Sequence, residues 1–325
     1  MEDNTIFFTA AIVHTLKGLL PRMDKTSKAL AIDIIAQSRK NYRHYQSRNG
    51  EPTYNFWPTT APDLPFPNGN KFISNPKMRL PDDLDTSILI AMGSEEDSVK
   101  TRLREKMVAY ASRESRSESK LNTLKKYESS EAYEAWFAKD MPQTFDICVL
   151  SNVMLFVFDE GYPLNRHDTA TISLIKRMLL EDDLREHMDE VSHHTTSQAL
   201  ILYHVARMIH ADREGFFQTM APVVVGLLFE EHNHAPTEFE KMLAATSLMQ
   251  LGQYSLGTLD HKRLQSELNE FTFFSVKPFL GNPQFSFLNR LVPNINWTSE
   301  SYNWVLYLEY LYLLELQSVN LTGTR

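Results

Sequence analysis

Stretches that are apolar on every side, each followed by one that is apolar on a single side, constrain this chain more than any other feature. Residues 143–158 run almost without a break through FDICVLSNVMLFVF, and Gly161 and Pro163 close the run. Asn165 or Asp168 then opens an amphipathic partner reaching about Leu180. The same pairing occurs after Pro81, where an acidic start leads into an apolar run ending at Met92–Gly93. Ser94 reads as the next N-cap, with Asp97 three residues on, and Val99, Leu103, Met107 and Tyr110 then share one face. Residues 195–210 are followed by 214–231, residues 236–251 by 259–270, and a last helix covers 302–317. Near the start, Ala31, Ile34, Ile35, Tyr42 and Tyr45 mark one side of a helix over 25–45.

A helix that is apolar all round must be surrounded by protein, whereas one with a single apolar stripe borders water. The alternation therefore predicts an all-α fold in two concentric layers, an α/α toroid built of helical hairpins, as one domain over residues 1–325. A two-domain stack and a helical solenoid are the competing architectures. No signature repeats at a fixed period of 20 to 50 residues, which counts against the solenoid. The 11 glycines among 325 residues agree with long helices and few tight turns, and 42% hydrophobic residues can fill a large core.

One segment departs from the pattern. Residues 50–81 hold six prolines after Pro52, with Phe56, Trp57, Phe66 and Phe72 between them. Proline excludes regular helix, and the aromatics are costly to leave in water. The expectation is an ordered irregular loop packed over the helices.

Charge and cysteine content exclude several function classes. A net charge of −8 argues against a nucleic-acid surface. A single cysteine, Cys148, excludes a disulfide framework and an all-cysteine metal site, and its apolar neighbours make it a buried residue rather than a nucleophile. The start, MEDNTIFFTAAIVHTLKGLL, reads as a first helix rather than a secretory signal, because acidic residues stand where a signal carries positive charge. No run is long enough to cross a bilayer, so the expected location is cytoplasmic. No glycine-rich phosphate loop, dinucleotide fingerprint or serine-hydrolase elbow is present.

Three groups of residues carry candidate chemistry. Asp82, Asp83 and Asp85 crowd one helix start, where they can cap the helix or, facing a cavity, hold a proton for general-acid work. His193, His194, Ser197, His204 and Arg207 approximate one polar stripe on an otherwise apolar helix. Such a stripe must turn to a cavity or pair with acidic residues of a neighbour. Tyr54, Phe56 and Trp57 ahead of the acidic motif, and Trp297, Tyr302 and Trp304 at the last helix, can enclose an apolar ligand, stack on a sugar or pack as a lid. His232 and His234 near Glu230 match no strong metal-site spacing, and no metal ligand is assigned.

The segments YNFWP (54–58), LPDDLDTSILIA (80–91) and TTSQALILYHVARMI (195–209) resemble bacterial α/α-toroid proteins of the terpenoid cyclase and protein prenyltransferase type. The resemblance implies a central cavity ringed by inner-helix N-termini and long loops. From the three groups above, the expected catalytic residues are Asp82, Asp83, Asp85 and His204, with Tyr54, Phe56, Trp57, His193, His194, Arg207 and Trp304 against substrate. The motifs depart from the enzymes of that fold. Acid-initiated cyclases carry Asp-x-Asp-Asp, where this chain has Asp82-Asp83-Leu84-Asp85. Diphosphate-ionising synthases carry Asp-Asp-x-x-Asp, where Thr86 stands at the last position. Glutamine-and-tryptophan repeats are absent, and only Cys148 is available for a prenyltransferase-type zinc site.

The expected function is a terpenoid-cyclase-like enzyme with an acidic, aromatic cavity. A carbohydrate-active enzyme would need a second carboxylate, for which Asp146 and Glu309 are available, and a non-catalytic binding scaffold is the third reading. The ligand is a small molecule, isoprenoid-like or a sugar. Mg2+ enters only if the carboxylates bind pyrophosphate.

Overall fold

A computed structural model of the chain describes residues 4–59, 82–112, 123–137, 144–192, 194–195, 197–254, 259–276 and 293–322. Helices dominate: α1 Phe7–Leu19, α2 Lys25–Arg39, α3 Leu84–Gly93, α4 Asp97–Ala111, α5 Ile147–Asp159 and α6 Arg166–Leu180. Two single-turn helices, α7 Asp183–Glu186 and α8 Met188–Val191, precede α9 Gln198–Ala211, α10 Ala221–His234, α11 Glu238–Gln250, α12 His261–Glu267 and α13 Glu300–Thr322. Among the described residues no helix is long and apolar enough to cross a membrane.

The predicted pairs form, with shifted boundaries. Asn165 caps α6 in a full capping box with Asp168. Ser94 ends α3 instead of starting α4, whose N-cap is Glu96. The helix expected from residue 214 begins at Ala221, with a proline in its first turn. One element was not expected: β1 Thr272–Val276 pairs antiparallel with β2 Ile295–Thr298, setting Phe274 opposite Trp297. Of the aromatic loop, residues 51–59 are ordered and packed, while 60–81 lie outside the described residues. The Phe56 carbonyl accepts the Ile6 N–H at 3.2 Å, and the Phe56 ring stacks on Phe7.

Helix burial follows the sequence pattern. Every residue of α3 is buried, and in α5 only Val149, Phe158 and Asp159 approach solvent. In α2, by contrast, Ala31 and Ile35 are the buried residues. α1 packs on α3, α3 on α5, α5 on α9, α9 on α11, α11 on α13, and α13 on α1, so the order of neighbours returns to its start. α2, α4 and α6 each back onto the helix before them, α10 lies against α9 and α11, and α12 against α11. Side chains of a single helix serve two core clusters. Ile88 and Ala91 of α3 join the cluster around α5, while Leu89 and Ile90 join that around α1 and α11. α9 divides in the same way, Ile201 and Leu202 from Leu200 and Tyr203.

Polar groups fix the ends of these helices. Lys17 Nζ donates to the carbonyls of Met92 and Ser94 at 2.9 and 3.0 Å, placing positive charge at the C-terminus of α3. Between α4 and α6, the buried Arg104 guanidinium forks onto both oxygens of Asp168, and Tyr133 Oη donates to the same carboxylate.

Candidate functional site

The N-termini of several mutually packed helices open on one cavity of about 130 Å3. Phe7 is the first residue of α1, Asp83 and Asp146 are the N-caps of α3 and α5, Thr195 lies just ahead of α9, and Trp297 precedes α13; all five line it. Phe56, Trp57, Trp136, Phe274 and Val276 complete most of an aromatic and aliphatic wall, against which the polar groups are few.

Local hydrogen bonds explain the placement of the acids. The Asp83 N–H donates to the Tyr54 carbonyl at 2.9 Å, and the Leu84 N–H to Ala135 at 3.0 Å, so two loops clasp the start of α3. Asp83 Oδ2 accepts the Thr86 N–H at 2.8 Å and the Thr86 hydroxyl at 2.5 Å, so of the aspartates able to cap α3 it is Asp83 that does so. Asp146 caps α5 through the N–H groups of Cys148 and Val149 and accepts the Ser192 hydroxyl. Asp85, in the first turn of α3, accepts Asn152 Nδ2 at 2.7 Å. Asn152 Oδ1 meets His204 Nδ1 at 3.2 Å, which makes a buried polar thread from α3 through α5 to α9.

Burial sets the protonation of these groups. Helix N-termini favour carboxylates, but here desolvation wins. Asp83, 7% exposed, is pushed from 3.8 to about 6 by burial, against the opposing pull of its bonds to Thr86. Asp85 rises well above the ordinary carboxylate value, first through burial and then through repulsion from Asp83. Asp146 also rises through burial, with His194 opposing the shift. His204 falls to about 3 because it is buried and stands near the Arg207 guanidinium. Its imidazole is therefore neutral, and the bond to Asn152 Oδ1 requires the proton on Nδ1. Burial raises the Cys148 thiol, so this cavity-wall residue is not a ready nucleophile.

The residues singled out from sequence divide into three sets. Asp83, Asp85, Phe56, Trp57 and His194 line the cavity. His204 and Arg207 lie deeper, with Asp85, around a smaller chamber that shares Phe7, Cys148, Thr195 and Phe274 with the cavity. The others sit elsewhere. Asp82 accepts the Thr53 hydroxyl at 2.6 Å, and Tyr54 gives its backbone to Asp83 and Ser87, so both shape the wall without lining it. Trp304 is 44% exposed beside Tyr307, while Trp297 occupies the cavity. His193 lies outside the described residues. Of the two proposed partner carboxylates, Asp146 shares the cavity, whereas Glu309 accepts the Tyr203 hydroxyl at 2.6 Å and Gln250 Nε2 at 3.0 Å.

The aspartates do not make a divalent-cation clamp. Asp82 turns to Thr53, Asp83 to Thr86 and Asp85 to Asn152, and among the described residues no three carboxylate, imidazole or thiol groups converge in a metal-binding arrangement. Asn152, Trp136 and Phe274 were not legible as site residues. The only sequence signal for Asn152 is its polarity within the apolar run of α5. No protein-family model, curated protein or solved structure matches this chain.

Proposed function

We propose that this chain is an α/α toroid whose cavity carries acid-initiated chemistry on an apolar, isoprenoid-like substrate, in the manner of a terpenoid cyclase. Support for the toroid comes from the order of helix neighbours, which returns from α13 to α1, with α2, α4, α6, α10 and α12 applied outside. The observation that carries the chemistry is a pair of buried carboxyl groups, Asp83 and Asp85, held toward the protonated form on the wall of an aromatic cavity. A carboxylic acid that keeps its proton near neutrality can deliver it to a weakly basic group such as an alkene, and aromatic faces stabilise the cation that results.

In this reading Asp85 is the donor, and Asp83 caps α3 and raises Asp85 by its proximity. Protonation of a substrate C=C bond forms a C–H bond and leaves a carbocation against Phe7, Phe56 and Trp297. Loss of a proton from the cation to Asp146 forms a new C=C bond, and the proton returns to Asp85 through solvent. The net reaction is an isomerisation or cyclisation without redox change. Asn152 orients the Asp85 carboxyl, and neutral His204 fixes Asn152.

The test is incubation of the purified protein with short linear isoprenoid alkenes and their alcohols, of a size suited to this cavity, followed by gas chromatography with mass detection. Cyclic or isomerised products should form with wild type and disappear with Asp85→Asn. Unchanged substrates under all conditions count against the reading. A second reading, glycoside cleavage, is favoured by one observation, the second carboxylate Asp146 with Trp57, Trp136 and Trp297 around the same cavity. Reducing-sugar release from oligosaccharides would select it.

A further inference from the structure

Beneath the aromatic cavity lies the second, more enclosed chamber of about 20 Å3, walled by Asp85, Thr195, His204, Arg207 and Tyr302 among mostly apolar side chains. Its polar groups present both senses of hydrogen bonding. His204 gives its Nδ1 proton to Asn152 Oδ1, and the neutral ring then carries a lone pair on Nε2. Among the described residues Nε2 has no hydrogen-bond partner. The Arg207 guanidinium lies 5.3 Å from the Tyr203 ring centroid and forms no hydrogen bond or ion pair with a described residue. Asp159 and Glu309 stabilise its charge from a distance, whereas the donors of Arg104 are bonded directly to Asp168.

Size and polarity together select the occupant. About 10–15 Å3 of such space holds one water-sized group, so the chamber has room for a single oxygen and not for a carboxylate or phosphate. A group that accepts from a guanidinium while donating to an imidazole lone pair must be both acceptor and donor. A hydroxyl is the group of one heavy atom that satisfies both.

We propose that this chamber is a hydroxyl subsite: it takes the oxygen of an apolar alcohol whose hydrocarbon part fills the aromatic cavity, with Arg207 donating to that oxygen and His204 Nε2 accepting its proton. The inference rests on the proposed reading of the cavity as an apolar-ligand site and narrows the substrate class to alcohols. A resident water has the same chemistry, and the experiment separates the two sources.

Benzyl alcohol and toluene serve as probes, since they differ by one hydroxyl and their ring suits a cavity of this size. Calorimetric titration of the full chain should give benzyl alcohol an affinity about tenfold above that of toluene. His204→Asn keeps an N–H donor for Asn152 but lacks the Nε2 acceptor, and should bring the ratio close to one. Arg207→Gln should reduce it as well, with thermal melting confirming that each variant is folded. Equal wild-type affinities would mean a permanent water in the chamber and would overturn the inference while leaving the cavity reading intact. Failure of both probes to bind wild type would overturn the inference and the cavity reading together.

Discussion

Replacing Asp83 by Asn should make the protein more stable at pH 8, although it removes a helix N-cap carboxylate. The carboxyl is buried and its value rises from 3.8 to about 6 in the fold. Below pH 3.8 it is neutral both folded and unfolded and has no effect on stability through ionisation. Between 3.8 and 6 the unfolded chain releases its proton first, so stability falls as pH rises. At 1.36 kcal/mol per pH unit, the full loss above pH 6 is about 3 kcal/mol. Asn is uncharged at every pH, and its amide oxygen can still accept from Thr86, as Oδ2 does in the wild type. Allowing about 1 kcal/mol for weaker hydrogen bonds to a neutral acceptor, Asp83→Asn should gain about 2 kcal/mol at pH 8. For 325 residues with an unfolding entropy of about 2.1 cal/mol/K each, that is an increase of about 3 °C in Tm. Urea and thermal unfolding at pH 4.5 and 8 measure the difference. A gain at pH 8 that shrinks or reverses at pH 4.5 is expected. A variant less stable at pH 8, or a difference independent of pH, would mean that capping by the carboxylate outweighs its desolvation.

Three further outcomes follow from the packing and the polar thread. Asp168→Asn leaves the buried Arg104 charge unmatched and should cost about 3 kcal/mol in urea unfolding. Gly93→Ala should destabilise by about 1 kcal/mol despite a better helix propensity, since the new Cβ would meet the buried Val13 Cγ1 at 3.0 Å across α1 and α3; unchanged thermal melting would contradict that close approach. His204 should remain neutral, with its proton on Nδ1, down to about pH 4 in 15N NMR spectra, and titration near 6.5 would contradict the burial argument.

The helices were legible because burial leaves its period in the sequence. α3 and α5 read as inner elements since they lack a polar face, and Asn165 and Asp83, each with one nearby alternative, signalled their helix starts through short side chains that accept from the first unpaired amides. Pairing across space left a weaker trace. Asp146 was visible only as one of two spare carboxylates, and nothing local separates it from Glu309, which turns to Tyr203 and Gln250. The β1–β2 ribbon was missed although TFFSV is β-branched and aromatic, because a five-residue apolar run does not declare its period. Trp304 and Trp297 look alike in sequence. The ribbon seats Trp297 opposite Phe274 at the cavity, while the helical register of α13 turns Trp304 to solvent.

The most direct test of the account is the protonation of the cavity carboxyls. Infrared difference spectra of wild type, Asp83→Asn and Asp85→Asn should show a protonated-carboxyl C=O band that persists to about pH 6 in wild type and is lost or shifted in each variant. Complete ionisation of both carboxyls by pH 4.5 would contradict the general-acid account.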